Sequence, residues 1–162
     1  MSESLENFTN IVKEDIKEAK TLFFSEAFKE EYLKDRREEK ELYHQLLLGR
    51  NRNQILEEFL LSSGQKKPVL LSAAKTIYQA TIMNLDEPLD IKVKREGWGY
   101  LVGRIKSDGT FLSLHKNTFQ AEDFEDGTLT IYADMKTIPK DGDIDHLIIQ
   151  TVYQTLQIEV VY

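Results

Sequence analysis

The sequence predicts an α+β protein, in which a helical N-terminal segment precedes an antiparallel β-sandwich of about seven strands. Three observations predict this fold class. Up to about residue 64, apolar side chains recur at steps of three and four residues, the spacing of one helix face. From Val69 onward, apolar and polar side chains alternate, as in strands that bury one face. Turn-forming residues separate the alternating runs at intervals of roughly eight to twelve residues, which is typical of sandwiches rather than βαβ units.

The helical segment opens with an amphipathic pattern. Ser4 can cap its start, and Glu6 places negative charge in the first turn. A second apolar set continues on a rotated face, so we expect the chain to bend near residues 21–25. The apolar residues of the first face are Leu5, Phe8, Val12, Ile16, Ala19 and Phe23.

A fully charged run, KDRREEKE, occupies residues 34–41. Its mixed signs are typical of a solvated helix that is held by pairs of opposite charge. The other interpretation is a patch that recognises a partner. After the run, Gly49 can end the resumed helix, and Asn51 or Asn53 can cap a last short one.

A change of composition marks the boundary between the two halves. Residues 64–68 read GQKKP, a cluster of turn-forming and polar residues. We therefore predict a helical domain over residues 1–64 and a sandwich domain over residues 66–162.

The second half consists of short alternating runs. Leu89, Ile91 and Val93 face one way while polar neighbours face the other. Trp98 and Tyr100 begin another alternating run, which predicts a strand that starts at Trp98. The turn signals between runs lie at residues 86–88, 95–97, 107–109, 125–127 and 140–142.

Charge and composition exclude several classes of function. The net charge of the 162 residues is -7, which argues against binding nucleic acid through its phosphates and against docking on an anionic membrane. The chain has no cysteine, which excludes disulfides, thiolate metal sites and cysteine nucleophiles. No apolar run approaches the roughly 20 residues that span a bilayer. The N-terminus lacks the basic and apolar regions of a signal peptide, so we expect a cytoplasmic protein.

The order of the strands carries a family resemblance. The runs LDIKVKREG, YLVGRIKSD, FLSLHKNTF, TLTIYAD, PKDGDIDHLIIQT and QTLQIEVVY follow one another. Over about residues 76–162 this order resembles bacterial immunoglobulin-like modules of the Hydin and abnormal-spindle type, and similar carbohydrate-associated modules. The chain departs from them by lacking a proline near residues 117–119 and by an acidic loop at residues 121–127. The resemblance implies an Ig-like sandwich that serves as a binding or spacer unit, with no active site.

The residue types that carry chemistry do not form a recognisable motif. His44, His115 and His146 lack the spacing of metal ligands on one helix, so we expect them at the surface. Two acidic runs, residues 122–126 and 141–145, raise the question of calcium, but neither has the register of an EF-hand. We interpret both as solvated loops. The sequence predicts no catalytic residue, no cofactor site and no metal site.

Trp98 and Tyr100 form the candidate binding surface. Such aromatic side chains can present a platform to a sugar ring or a peptide. The alternative is that Trp98 fills the core between the sheets. We expect a non-enzymatic protein-interaction or spacer module of a larger bacterial protein or assembly, with a protein as its partner. The alternative is a carbohydrate-binding module that uses the two aromatic residues.

Overall fold

The computed structural model describes residues 4–109 and 111–162. Contacts divide the chain into two compact units. The helical unit comprises the chain up to Pro68 together with Trp98–Tyr100, and the sandwich unit comprises Val69–Gly97 and Leu101–Tyr162. The predicted α+β fold class is confirmed. The domain bounds 1–64 and 66–162 stay a prediction, and residues 1–3 and 110 lie outside the described residues.

Short helices build the helical unit. The described residues hold α1 Leu5–Glu14, α2 Ile16–Phe23, α3 Ala27–Tyr32, α4 Arg37–Leu46 and α5 Arg52–Ser62. None of the helices in this part of the chain has the length and apolar character that crossing a membrane requires.

Capping side chains set the helix boundaries. Ser4 accepts a hydrogen bond from the Asn7 amide at 3.1 Å, and Asn51 caps α5 by accepting from the Gln54 amide. The bend expected near residues 21–25 is present, because α2 ends at Phe23. A second break, which the pattern did not predict, lies at Asp15. Its backbone is extended and its carboxylate accepts from the Glu18 amide, so it ends α1 and begins α2.

The core of the helical unit is rich in aromatic side chains. Phe8, Phe23 and Phe28 are fully buried and contact one another, with ring centroids 4.8–6.0 Å apart. Aromatic rings fill the wide spaces between short, irregularly placed helices with few side chains. The other aromatic members of this core are Tyr32, Tyr43 and Phe59.

The charged run of residues 34–41 is only partly helical, since α4 begins at Arg37. Two of its arginines form exposed ion pairs with glutamates three and four residues on. Arg36 lies 3.5 Å from Glu39, and Arg37 lies 3.7 Å from Glu41. These pairs agree with a solvated helix face and contribute little to stability.

The sandwich unit contains nine strands among its described residues. They are β1 Leu70–Ala73, β2 Ile77–Gln79, β3 Leu89–Glu96, β4 Val102–Ser107, β5 Leu112–Leu114, β6 Thr118–Gln120, β7 Thr128–Met135, β8 Ile144–Gln150 and β9 Thr155–Val161. The number exceeds the predicted seven because short runs such as β5 and β6, only three residues each, belong to different sheets.

The strands form two sheets. Sheet A has the order β1-β3-β7-β5, and sheet B has the order β2-β9-β8-β4-β6. The described pairings are antiparallel except for β2, which runs parallel to β9. Alternating aliphatic side chains of both sheets point inward and make the core, as the sequence pattern predicts. Examples are Ile91, Val93, Leu147, Ile149, Ile158 and Val160, all with no exposed area.

Two predicted strands differ from the structure. The strand expected to start at Trp98 starts at Val102 instead. Gly97 and Gly99 have φ angles of 102° and 108°, which turn the backbone out of the extended conformation. The alternation predicted from Val69 onward is interrupted after β2, which ends at Gln79, because a 3₁₀ helix occupies Ile82–Leu85.

Candidate functional site

The predicted binding residues Trp98 and Tyr100 lie in the helical unit. Trp98 packs against the aromatic helical core, so the alternative that placed it between the sheets is wrong. Both side chains are half-buried. The hydroxyl of Tyr100 accepts a hydrogen bond from the side-chain amide of Asn51 at 3.2 Å.

A buried ion pair holds this segment. Lys66 donates to the carboxylate of Glu57 and to the backbone carbonyl of Trp98. The side chains of Lys66 and Glu57 are 1% and 3% exposed. Gly99 suits this position, because its φ of 108° lies in a region that residues with a side chain rarely adopt. The pair is enclosed by protein, and its geometry fits a structural role.

Two ammonium groups lie over the indole ring of Trp98. The Nζ of Lys66 is 4.4 Å and that of Lys13 is 5.0 Å from the ring centroid, which are distances of cation–π contacts. Use of Trp98 and Tyr100 as a platform for a sugar or peptide stays a prediction. In the sequence, the segment that places Trp98 is marked by a glycine on each side of the tryptophan.

The histidines lie apart from one another on the surface or near it. His44 and His115 are exposed, and His146 is half-buried. His115 Nε2 lies 2.7 Å from Asp134 Oδ2, and His146 Nδ1 lies 3.1 Å from Asp108 Oδ2. Within residues 4–109 and 111–162, no group of three or more histidines and acids could hold a metal ion.

The sequence predicts that the acidic run at residues 141–145 is solvated, but only part of the run is exposed in the structure. Asp141 and Asp143 are exposed, but Asp145 has no exposed area. Its carboxylate accepts hydrogen bonds from the Ser107 hydroxyl and, at 3.1 Å, from the Leu112 amide. Asp145 therefore ties β8 to the β4–β5 connection, and the sequence contained no signal for this role.

A locally unpaired edge of β7 in sheet A forms a candidate binding site. β5 pairs with β7 only at Ala133–Met135, so on the side away from β3 the first half of β7 has no strand beside it among the described residues. A groove of about 770 Å³ runs along this edge. We refer to it as the β7 groove. Its floor is formed by core residues of both sheets, Ile105, Phe119, Leu129 and Ile131.

The rims of the β7 groove differ in chemistry. One side is the backbone of β7 from Thr128 to Tyr132. The other is the segment between β5 and β7, which crosses from sheet A to sheet B and back. Its charged groove-lining residues are His115, Lys116, Glu122, Asp123, Glu125 and Asp126. The sequence predicts only a solvated loop for these acids, because the groove depends on where the chain changes sheet.

Comparison with known proteins gives a family for the chain. A family model described as "Family of unknown function (DUF5717) N-terminal" matches residues 2–162. The chain belongs to this family. No curated protein matches the sequence of this DUF5717 N-terminal domain.

Solved structures of low similarity include two chaperones. The E. coli chaperone DraB has a TM-score of 0.40 and 6% identity over 57% of the DUF5717 domain and 53% of its own chain. The YadV chaperone has a TM-score of 0.40 and 12% identity over 58% and 50%. The DUF5717 domain thus spans about half the length of each. A FixG-related protein from Vibrio parahaemolyticus has a TM-score of 0.38 and 16% identity over 58% of the domain and 94% of its own chain.

Proposed function

We propose that the chain is a non-enzymatic protein-interaction module within a larger bacterial protein or assembly. The observation that carries the proposal is the open edge of β7. The β7 groove combines an apolar floor, a rim of strand backbone and a charged rim. A segment of another protein can complement all three, because it brings backbone hydrogen-bonding groups and side chains together.

The placement of the other reactive side chains supports this proposal. Glu57, Lys66 and Asp145 are enclosed, and each is bonded to protein groups. They therefore serve the fold. The family description as N-terminal supports a place in a longer protein. The finer resemblance of residues 76–162 to Hydin-type immunoglobulin-like modules is part of the proposal, as is a cytoplasmic location.

Site-specific photo-cross-linking in the source cell tests the proposal. A benzophenone amino acid replaces Glu122, which is exposed on the rim of the groove. The matched control replaces Gln157, which is exposed on β9 of sheet B and does not line the groove. We expect a discrete protein adduct from position 122 that is several-fold stronger than any adduct from position 157.

Two results would count against an interaction module. Equal adducts at both positions would indicate non-specific contact. No adduct at position 122, with the protein folded and expressed at its normal level, would favour a spacer that takes no partner in the groove.

A further inference from the structure

The backbone of β7 presents hydrogen-bonding groups to the β7 groove. In an antiparallel ladder, successive residues direct their amide and carbonyl groups to opposite sides. Gly127 accepts from the Arg95 amide, so the odd-numbered residues that follow it point toward β3. Thr128, Thr130 and Tyr132 consequently point toward the groove.

Thr130 lies between two positions that have partners. Thr128 exchanges two hydrogen bonds with Glu125, at 2.8 and 2.9 Å. The carbonyl of Tyr132 accepts from the His115 amide at 3.0 Å. Thr130 has no strand beside it on this side within residues 4–109 and 111–162. Its amide and carbonyl face the groove.

Local geometry builds this gap. Asp126 and Gly127 have φ angles of 51° and 77°, which give the tight turn of a type I′ hairpin. The hairpin makes only the Glu125–Thr128 bridge before its first arm leaves for sheet B. β5 likewise ends at Leu114, and the chain continues to β6 in sheet B. The interval opposite Thr130 is therefore bounded at both ends.

We propose that an extended segment of a partner protein adds to sheet A at this interval and pairs with the backbone of Thr130. This inference rests on the proposed function and specifies the partner of the same groove. The positions opposite Thr128 and Tyr132 are already occupied by Glu125 and His115, so the open interval lies opposite residues 129–131. It is about 7 Å long at ~3.4 Å per residue, which suits a segment of about three residues.

The alternation of side chains defines the sequence of that segment. The residue opposite Thr130 faces outward with Thr130, which is half-buried on the outer face. Its two neighbours face inward, toward Ile105 and Phe119 of the floor. Those two positions are therefore apolar. Four acids line the groove against three lysines, Lys92, Lys94 and Lys116, and this balance disfavours a nucleic acid as the occupant.

Hydrogen exchange of the free protein tests the premise. We expect the amide of Thr130 to exchange much faster than those of Leu129 and Ile131, which face β3. Slow exchange at Thr130 would overturn the inference, since its amide would then already have a partner in the fold.

A binding experiment tests the pairing itself. A phage-displayed library of random linear peptides is selected on the full chain, and the bound phage are eluted with acid. We expect selected peptides to carry apolar residues on both sides of one central position. Methylation of the backbone nitrogen of the central residue is expected to weaken binding about ten-fold, as loss of a backbone hydrogen bond should.

Variants of Thr130 provide the matched comparison. Thr130→Pro removes the amide hydrogen that faces the groove, and Thr130→Val keeps it with a similar shape. We expect binding of the selected peptides to be lost in Thr130→Pro and retained in Thr130→Val. If Thr130→Pro does not fold, the methylated peptides decide the question.

The outcomes separate this inference from the proposed function. Peptide binding that is lost on substitution of groove residues, but that tolerates backbone methylation and Thr130→Pro, would overturn strand addition. The proposed interaction module would still stand. Absence of selected peptides together with equal cross-linking at positions 122 and 157 would overturn both.

Discussion

Within residues 4–109 and 111–162, each unit of the molecule buries one carboxylate, and the two are stabilised in different ways. In the helical unit, the negative charge of Glu57 is paired with the positive charge of Lys66. In the sandwich unit, Asp145 receives hydrogen bonds from two neutral donors, the Ser107 hydroxyl and the Leu112 amide. Among the described residues, no buried side-chain nitrogen or oxygen lacks a hydrogen-bond partner. Buried polar groups that all have hydrogen-bond partners can therefore differ greatly in the free energy of unfolding that is lost when they are replaced.

The cores around the two carboxylates differ as well. The helical core is dominated by aromatic rings, including Phe8, Phe23 and Phe28, whereas the sandwich core is mainly aliphatic. Short helices that meet at irregular angles leave spaces that rings fill, while paired strands bring β-branched side chains into register. The buried ion pair of the helical unit therefore sits in the less regular of the two interiors.

The largest expected effect comes from neutralising Glu57. Glu57→Gln leaves the ammonium of Lys66 buried without its counter-charge, and we expect the free energy of unfolding to fall by about 3–5 kcal/mol. Urea unfolding followed by the fluorescence of Trp98, the single tryptophan of the chain and a member of the helical unit, measures it.

Two controls sharpen that result. Glu58→Gln changes the adjacent glutamate, whose carboxylate accepts from Gln54, and should cost below about 0.5 kcal/mol. The double variant Glu57→Leu/Lys66→Met removes both charges and should recover at least half of the loss. A loss in Glu57→Gln no larger than in Glu58→Gln would contradict the view that the ion pair is a buried, mutually dependent unit.

A smaller effect is expected from the matching change in the sandwich. In Asp145→Asn the amide oxygen can still accept from Leu112, and the amide nitrogen can donate to the Ser107 oxygen. Because no charge is left unpaired, we expect a loss of about 1 kcal/mol or less. Thermal unfolding monitored by circular dichroism measures it, with Asp141→Asn at an exposed position as the control. A loss as large as that of Glu57→Gln would contradict the expected difference between the two buried carboxylates.

The sequence allowed the fold class to be predicted, since the change from helical spacing to alternation depends only on neighbouring residues. Local caps such as Ser4 and Asn51 were predictable for the same reason. The strand predicted from Trp98 failed because two glycines turn the backbone there. The sequence does not show which glycines adopt a positive φ, so such turns cannot be predicted from the local pattern of residues.

The elements of the candidate sites depend on contacts between distant residues. Lys66 meets the carbonyl of Trp98 across 32 positions, and Ser107 meets Asp145 across 38. The β7 groove exists because β5 and β6 lie in different sheets. Alternation predicts that each is a strand but does not indicate which sheet it joins. Pairing of that kind could not be predicted from one sequence.

The smallest expected effect at neutral pH concerns a neutral buried group inside the helical unit, the phenol of Tyr43. It is 2% exposed and donates to the carbonyl of Phe23. Burial raises the pKa of Tyr43 above its usual value. Below about pH 9, both the folded and the unfolded states keep the proton, so this group adds no pH dependence.

Above that pH the unfolded chain loses the proton first, because its pKa is the lower one, and the stability contributed by the neutral phenol is lost as pH rises toward the folded value. Urea unfolding of the native chain and of Tyr43→Phe between about pH 8 and pH 11 separates the contribution of the Tyr43 phenol from that of the lysines, which both proteins share. We expect the difference between the two free energies of unfolding to stay constant up to about pH 9 and then to change against the native chain, by at most about 1.4 kcal/mol per pH unit. A constant difference throughout would mean that the phenol ionises as readily in the fold as in water. The helical interior would then tolerate a second charge beside the Glu57–Lys66 pair, and the contrast with the sandwich would disappear.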